Sequence, residues 1–428
     1  MASPTLRRHP EYGAAAQATG RRYELDWLRV LIIIGLIPFH VIGLYAIAIE
    51  TYIRGGRSSA LAGLISNFFI LWPMSLLFLV AGASTWFALG VRSPRQYVRE
   101  RLLRLFIPFL FATLVIIPIQ VYAVLHTYPQ LINLNIVPDT GLHGGESFFE
   151  FYFPYLGGYV YFLTHFTSLR ESVFWGHIWF IPRLLFFALA ALPLLLWLRS
   201  QPGRRFFERL ADMFILPGTT MLLGLLIALP RIVCAVLYRT AKQSSSNVSW
   251  DPYLLSTQLV IFLLCFLAGY LFYASPRLLQ AVRRDGLVAL ALGVFFFTLL
   301  QTPIGSIASI TQITPGGILM ILLRSASEWF LVIGVLYVGL RFFAFSNDLL
   351  QYLNEAAYPL YVIHMPVLIL VGLPIITWDI PRAVALVIIV LAGLVVTLGL
   401  YEFVIKRIAV LRLLFGLKPP RAKSSQRD

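Results

Sequence analysis

Charge is scarce in this sequence. Only 12% of its 428 residues are Asp, Glu, Lys or Arg, about half the share of an ordinary soluble domain. At the same time 59% are hydrophobic. So little charge cannot cover a water-exposed surface, which excludes a soluble globular protein. Cysteine is scarcer still. Cys234 and Cys265 both lie within apolar runs, which excludes a disulfide framework and a cysteine-based zinc site. Acids are outnumbered, 19 against 34 bases, for a net charge of +15. The bases sit between apolar runs, as in a membrane topology signal, so no nucleic-acid partner is expected. The first twenty or so residues are polar and basic with no apolar core, so no cleavable signal peptide is expected. No internal repeat, heptad run or low-complexity linker is present.

Long apolar runs are what is there in quantity. Runs of 18 or more residues can each cross a bilayer as a helix. They fall at roughly 28–49, 61–89, 103–125, 174–198, 212–236, 254–274, 287–303, 318–341, 356–376 and 383–405. The expected fold is all-α, a polytopic membrane protein with about ten transmembrane helices. With the N-terminus in the cytoplasm, 25 of the 34 Lys and Arg fall in inner segments, 6 in outer ones and 3 within spans. That bias puts both termini in the cytoplasm. The expected organisation is a basic tail over 1–22, one transmembrane domain over 23–408, and a second basic tail over 409–428. One outer connection, 126–173, is long and rich in Tyr, Phe, Gly and Pro. It reads either as an interfacial or re-entrant piece or as a wall over an outward-facing site.

Ionisable groups inside these runs are costly and need a reason. The stretch RVLIIIGLIPFH puts Arg29 at the inner edge of the first span and His40 past its middle. Eleven helical steps bring the two to nearly one face, about 16 Å apart along the axis. Arg29 is a topology anchor or a ligand contact, and Asp26 can pair with it. Pro38 can kink the helix and turn His40. RSPRQYVRERLLRLFIP carries five arginines, of which Arg101 and Arg104 are a turn apart. They read as inner-face anchors or as a phosphate clamp. FWGHIWFIPR holds His177, and AAYPLYVIHMP holds His364 within the ninth span. No two of the three histidines have helical metal-ligand spacing, so no metal is expected. Arg324 and Glu328, four apart in the eighth span, can pair across a turn. Arg231 lies in the fifth span, and Glu402 lies near the inner end of the tenth with Arg407 beyond it.

The stretches YELDWLRVLIIIGLIPFH, RERLLRLFIP, WGHIWFIPRLLFF, NEAAYPLYVIHMPVL and LRLLFGLKP together resemble the membrane-bound acyltransferase family 3, and within it the glucan-biosynthesis protein C-like branch. The resemblance runs from about Tyr23 to Pro419. It implies a ten-span enzyme that moves an acyl group, acetyl or succinyl, from cytoplasmic acyl-CoA to a hydroxyl of an extracytoplasmic glycan or related metabolite. Arg29 and His40 match the family's Arg-x10-His pattern, and Arg101 with Arg104 match its Arg-x-x-Arg motif. His364 and His177 fall on its YPLYVIH-like and GH-x-WF stretches. The resemblance thus makes His40, with His364 and His177, the catalytic candidates. Arg29, Arg101 and Arg104 become acyl-CoA contacts, and Arg324 and Glu328 possible contacts to the acyl group or carbonyl. Acyl-CoA is then a donor substrate, with no permanently bound cofactor. The partners are the acceptor and the lipid bilayer, and the place is the bacterial inner membrane. Arg183 departs from the pattern, where an apolar residue or Tyr is expected. No soluble hydrolase-like domain follows the tenth span, so a stand-alone membrane enzyme is expected. The competing reading is a membrane transporter with a buried His/Arg/Glu relay.

Overall fold

A computed structural model describes residues 21–50, 60–127, 147–164, 174–214, 216–245, 251–306 and 313–418. Most of the first basic tail and half of the second, and the parts of the long connection at 128–146 and 165–173, lie outside the described residues. Among the described residues the chain is all helix and turn. The elements are α1 (Tyr23–Glu50), α2 (Ala60–Leu71), α3 (Pro73–Val91), α4 (Pro94–Thr127), α5 (Phe148–Thr164), a 3-10 turn (Gly176–Trp179) leading into α6 (Phe180–Ala190), α7 (Leu192–Leu198), α8 (Gln201–Asp212), α9 (Thr219–Ser244), α10 (Asp251–Ala274), α11 (Pro276–Leu300), α12 (Pro315–Phe342), α13 (Asp348–Ile376), α14 (Arg382–Leu400) and α15 (Ala409–Leu414).

Among the described residues eight helical stretches are long and apolar enough to cross a membrane, with α2 and α3 counted as one; the turn–α6 unit and α7, bent by 47°, make a ninth if taken as one span. The remaining expected span, 287–303, falls on α11, which is not among these stretches; its first turns carry Arg277, Arg283, Arg284 and Asp285 ahead of its apolar part. Contact registers give the directions. Arg29 meets Asn354 and His40 meets His364, so α1 and α13 run parallel. Phe78 meets Phe262 and Trp86 meets Tyr270, so α3 and α10 also run parallel. A Cβ at Gly286 would strike Tyr337 and one at Gly293 would strike Leu331, so α11 and α12 are antiparallel. These directions gather Arg29, Arg101, Arg199, Arg277 and Arg341 at one end of the bundle, called the basic face below.

Lipid tails supply no hydrophobic drive between helices, so close backbone approach and polar bonds hold the bundle. Gly82 and Gly269 let α3 and α10 touch along their backbones. A Cβ at either would lie 1.8 Å from a carbonyl oxygen of the other helix, that of Phe266 or Leu79. Farther along α3, Glu328 of α12 accepts bonds from Arg231 of α9 and Ser75 of α3, both at 2.5 Å.

Prolines free carbonyls that other side chains then use. Pro118 has no N–H to offer Leu114, and the Leu114 oxygen takes the hydroxyl of Tyr152 at 3.0 Å instead. Tyr152 belongs to α5, which Ser147 and Glu150 start with reciprocal bonds. From Tyr122 through Leu114, α5 runs back along α4, and its Phe162 ends against Phe174 and Trp175. The described part of the long connection is thus a helix folded against the bundle, with Phe151, Tyr155 and Phe162 buried and Phe149 and Phe153 exposed.

Candidate functional site

A cavity of about 640 Å³ opens at the basic face between α1, α3, α4, α6 and α13. Five cations line it: Arg21, Arg29, Arg101, Arg104 and Lys418. Its one acidic lining residue is Glu355, which Arg412 holds at 3.2 Å. Asp26 holds Arg29 at 2.7 Å and Arg21 at 2.8 Å, and the Asn354 side chain also accepts from Arg29. The Arg29–Asp26 pair is the one expected from the sequence. Arg101 lies 4.9 Å from the centre of the Tyr97 ring and donates to Thr85 at 3.4 Å. The helix passes through a π-turn at Leu102–Phe106, so Arg101 and Arg104 do not keep simple α-helical register. Both still border the same cavity. Guanidinium forks with this surplus of positive charge suit phosphate oxygens.

The cavity ends against Ile33, Phe180 and Tyr361. One helical turn beyond Tyr361 lie the histidines. The His40 and His364 rings are 5.2 Å apart between centroids, and those of His177 and His364 are 4.9 Å apart. Three histidines remote in sequence thus form one cluster. His364 and His177 are buried, whereas His40 is only half-buried. Pro366 explains how His177 is held. It leaves the Val362 carbonyl without a helical donor, and His177 Nε2 takes that oxygen at 2.9 Å. The Tyr361 hydroxyl donates to the His177 carbonyl at 2.5 Å. His364 Nδ1 lies 2.8 Å from the carbonyl oxygen of Tyr361.

A carbonyl can only accept, so these ring nitrogens carry the protons. The opposite nitrogens, His177 Nδ1 and His364 Nε2, are therefore acceptors. Both are buried with no hydrogen-bond partner among the described residues. A buried acceptor of this kind is stabilised by a donor, such as the N–H of His40 or a hydroxyl.

The structure does not bring Arg324 and Glu328 to this cluster, and although the two charges lie near one another, they form no direct ion pair. Glu328 is engaged by Arg231 and Ser75, and Arg231 also donates to Ser325 at 2.7 Å. Arg324 makes no hydrogen bond or ion pair with the described residues. The sequence-local pairing fails because α9 presents Arg231 directly across from Glu328. Glu402 pairs with Lys406 at 2.9 Å and not with Arg407. The unexpected Arg183 is buried with its guanidinium 4.4 Å from the Trp179 ring centre, a cation–π contact inside the bundle.

Several cavity residues escaped sequence reasoning: Asn354, Tyr358, Tyr361 and Lys418. The Tyr358 hydroxyl is buried with no partner among the described residues. A signal existed for three of them. Asn354, Tyr358 and Tyr361 lead to His364 in helical steps of four, three and three residues, so they mark the same stripe of α13.

The profile of the acyltransferase 3 family, described as an acyltransferase domain, matches residues 22–402. No curated protein matches the chain, and no solved structure does. The matched region includes α1 with Arg29 and His40, the Arg101–Arg104 turn, and both further histidines. The chain belongs to the acyltransferase 3 family of multi-pass membrane proteins.

Proposed function

We propose that the protein transfers an acetyl or succinyl group from acyl-CoA, at the cytoplasmic side of a bacterial inner membrane, to a hydroxyl of an extracytoplasmic glycan or related metabolite, as in the glucan-biosynthesis protein C-like branch. The observation that carries this reading is a cation-lined cavity ending one helical turn short of a histidine cluster. The basic face is then cytoplasmic. The phosphates of the donor lie among Arg29, Arg101 and Arg104. The pantetheine arm runs past Tyr358 toward Tyr361, and its thioester reaches His40.

His40 acts as general base. It takes the proton of the acceptor hydroxyl as the oxygen attacks the thioester carbonyl. The carbon–sulfur bond of the tetrahedral intermediate breaks, and the CoA thiolate takes the proton from the imidazolium. His364 accepts a hydrogen bond at Nε2 and fixes which nitrogen of His40 is the base. His177 fills the second acceptor position, toward His40 through His364 or toward the acceptor itself. Arg324 and Glu328 take no part in this step: Arg231 and Ser75 occupy the oxygens of Glu328, and neither residue borders the cavity or the histidines.

The test is thiol release from acyl-CoA by membranes holding wild type or His40→Ala at matched expression. Acetyl-CoA and succinyl-CoA are assayed separately, with crude cell-envelope glycan as acceptor. Release by wild type that is lost in the variant is expected, by at least ~100-fold for removal of a general base. Equal release from both removes His40 from the chemistry. Solute flux without thiol release replaces the enzyme by a transporter.

A further inference from the structure

A second basic pocket lies at the same face, away from the donor cavity, at the corner between α7 and α8. The corner is built tightly. Ser200 caps α8 by accepting from the Gly203 amide at 3.3 Å, and its hydroxyl donates to the Trp197 carbonyl at 2.6 Å. A Cβ at residue 203 would lie 2.0 Å from that same carbonyl oxygen, so only glycine allows α8 to turn this close. Beside the corner is a cavity of about 210 Å³, a third of the donor cavity, bordered by Arg199, Arg204, Trp86, Tyr270 and Phe207. Among the described residues its lining contains two guanidinium groups and no carboxylate.

The walls are rigid. Arg199 lies 4.6 Å from the Trp86 ring centre and donates to the Trp86 carbonyl at 3.3 Å. Trp86 and Tyr270 meet edge to face at 5.3 Å, and the Tyr270 hydroxyl donates to the Leu195 carbonyl at 3.2 Å. Trp86 is five residues from the end of α3, and Tyr270 is four from the end of α10. The pocket therefore lies about a turn inside the ends of two spans, which is headgroup depth.

Next to the pocket, α8 is two-faced. Arg205 and Arg209 are exposed on one side, while Phe206 and Trp197 are about half exposed and meet at a tilt, 5.6 Å between ring centres. Met213, just past the helix, is also exposed. A helix of this kind lies in the membrane interface with its apolar side among acyl chains. Basic pockets between spans on the cytoplasmic side suit anionic headgroups.

We infer that the Arg199–Arg204 pocket binds the phosphodiester headgroup of an anionic glycerophospholipid, whose acyl chains lie over Trp197 and Phe206. The cations fix the sign of the ligand, and the exposed aromatics at the rim distinguish a lipid from a free anion. This inference uses the orientation of the basic face but not the acyl-transfer reading, so either can fail alone.

The test is native mass spectrometry of the full chain in detergent. Phosphatidylglycerol and phosphatidylcholine with identical chains are titrated in, with inorganic phosphate as competitor. The expected result is one tightly held phosphatidylglycerol, preferred over phosphatidylcholine by about tenfold or more. Arg204→Gln should cost roughly fivefold of that preference, the usual worth of one surface cation. It leaves the Arg199–Trp86 bond in place, so the corner keeps its fold. Arg199→Gln/Arg204→Gln should abolish the preference, and Arg95→Gln/Arg99→Gln on α4 should leave it unchanged. Equal binding of the two lipids, an unaltered preference in the double variant, or displacement by millimolar inorganic phosphate would each overturn the inference. The last outcome would reassign the pocket to a free anion.

Discussion

Glu328 has two candidate partners, and they make opposite predictions. The sequence pairs it with Arg324, one turn away on the same helix, whereas the fold pairs it with Arg231 across the α9–α12 contact at 2.5 Å. The Glu328 side chain is 4% exposed and that of Arg231 16%, so little water screens the pair. With charge centres about 4 Å apart and an effective dielectric of about 20, the attraction is ~4 kcal/mol. Removing one partner also leaves the other charge buried and alone, which typically costs about 3–5 kcal/mol in total. At roughly 2 °C per kcal/mol for a large chain, Arg231→Gln should lower the unfolding temperature by about 6–10 °C. Replacing both groups by apolar side chains of similar volume, Arg231→Met/Glu328→Leu, removes the stranded charge and should recover most of that loss. Arg324→Gln should shift the midpoint by no more than ~2 °C. The measurement is thermal unfolding in detergent, followed by loss of the monodisperse species. Equal losses from Arg324→Gln and Arg231→Gln would refute the reasoning, as would a double variant less stable than either single one.

Two further outcomes follow from the proposed site. Arg101→Gln/Arg104→Gln should raise the KM for acyl-CoA by tenfold or more while leaving kcat at saturating donor within about threefold, because under the proposal these groups hold the donor phosphates away from the thioester; a fall in kcat at unchanged KM would contradict that role. Pro366→Ala restores a helical donor to the Val362 carbonyl and removes a helix-interior proline, so thermal stability should hold or rise, while kcat falls about tenfold as His177 loses its oriented acceptor; unchanged kcat would mean that His177 is held by other means.

The all-α membrane architecture was legible because it rests on length and apolarity, which are local properties of a chain. The Arg29–Asp26 pair was legible for the same reason, being three residues apart on one helix. What escaped was everything decided by a second helix. No local pattern places Arg231 against Glu328 or Asn354 against Arg29, because both depend on which helices adjoin and in what register. The break between α6 and α7 and the charged start of α11 blurred the span count, since a bend and a polar end both interrupt an apolar window. The three histidines were visible one by one, but their meeting depends on α1 and α13 running parallel while the Gly176 turn folds toward them. Proline was the overlooked signal. Reading each proline as a carbonyl set free four residues earlier points to Val362 and Leu114. In this fold one accepts His177 and the other anchors α5. In a membrane helix an unclaimed carbonyl has no water to turn to, so a proline beside a buried histidine marks a place where another helix must bring a donor. The stretch IHMP carries that mark: Pro366 frees the oxygen that orients His177 against the face of His364.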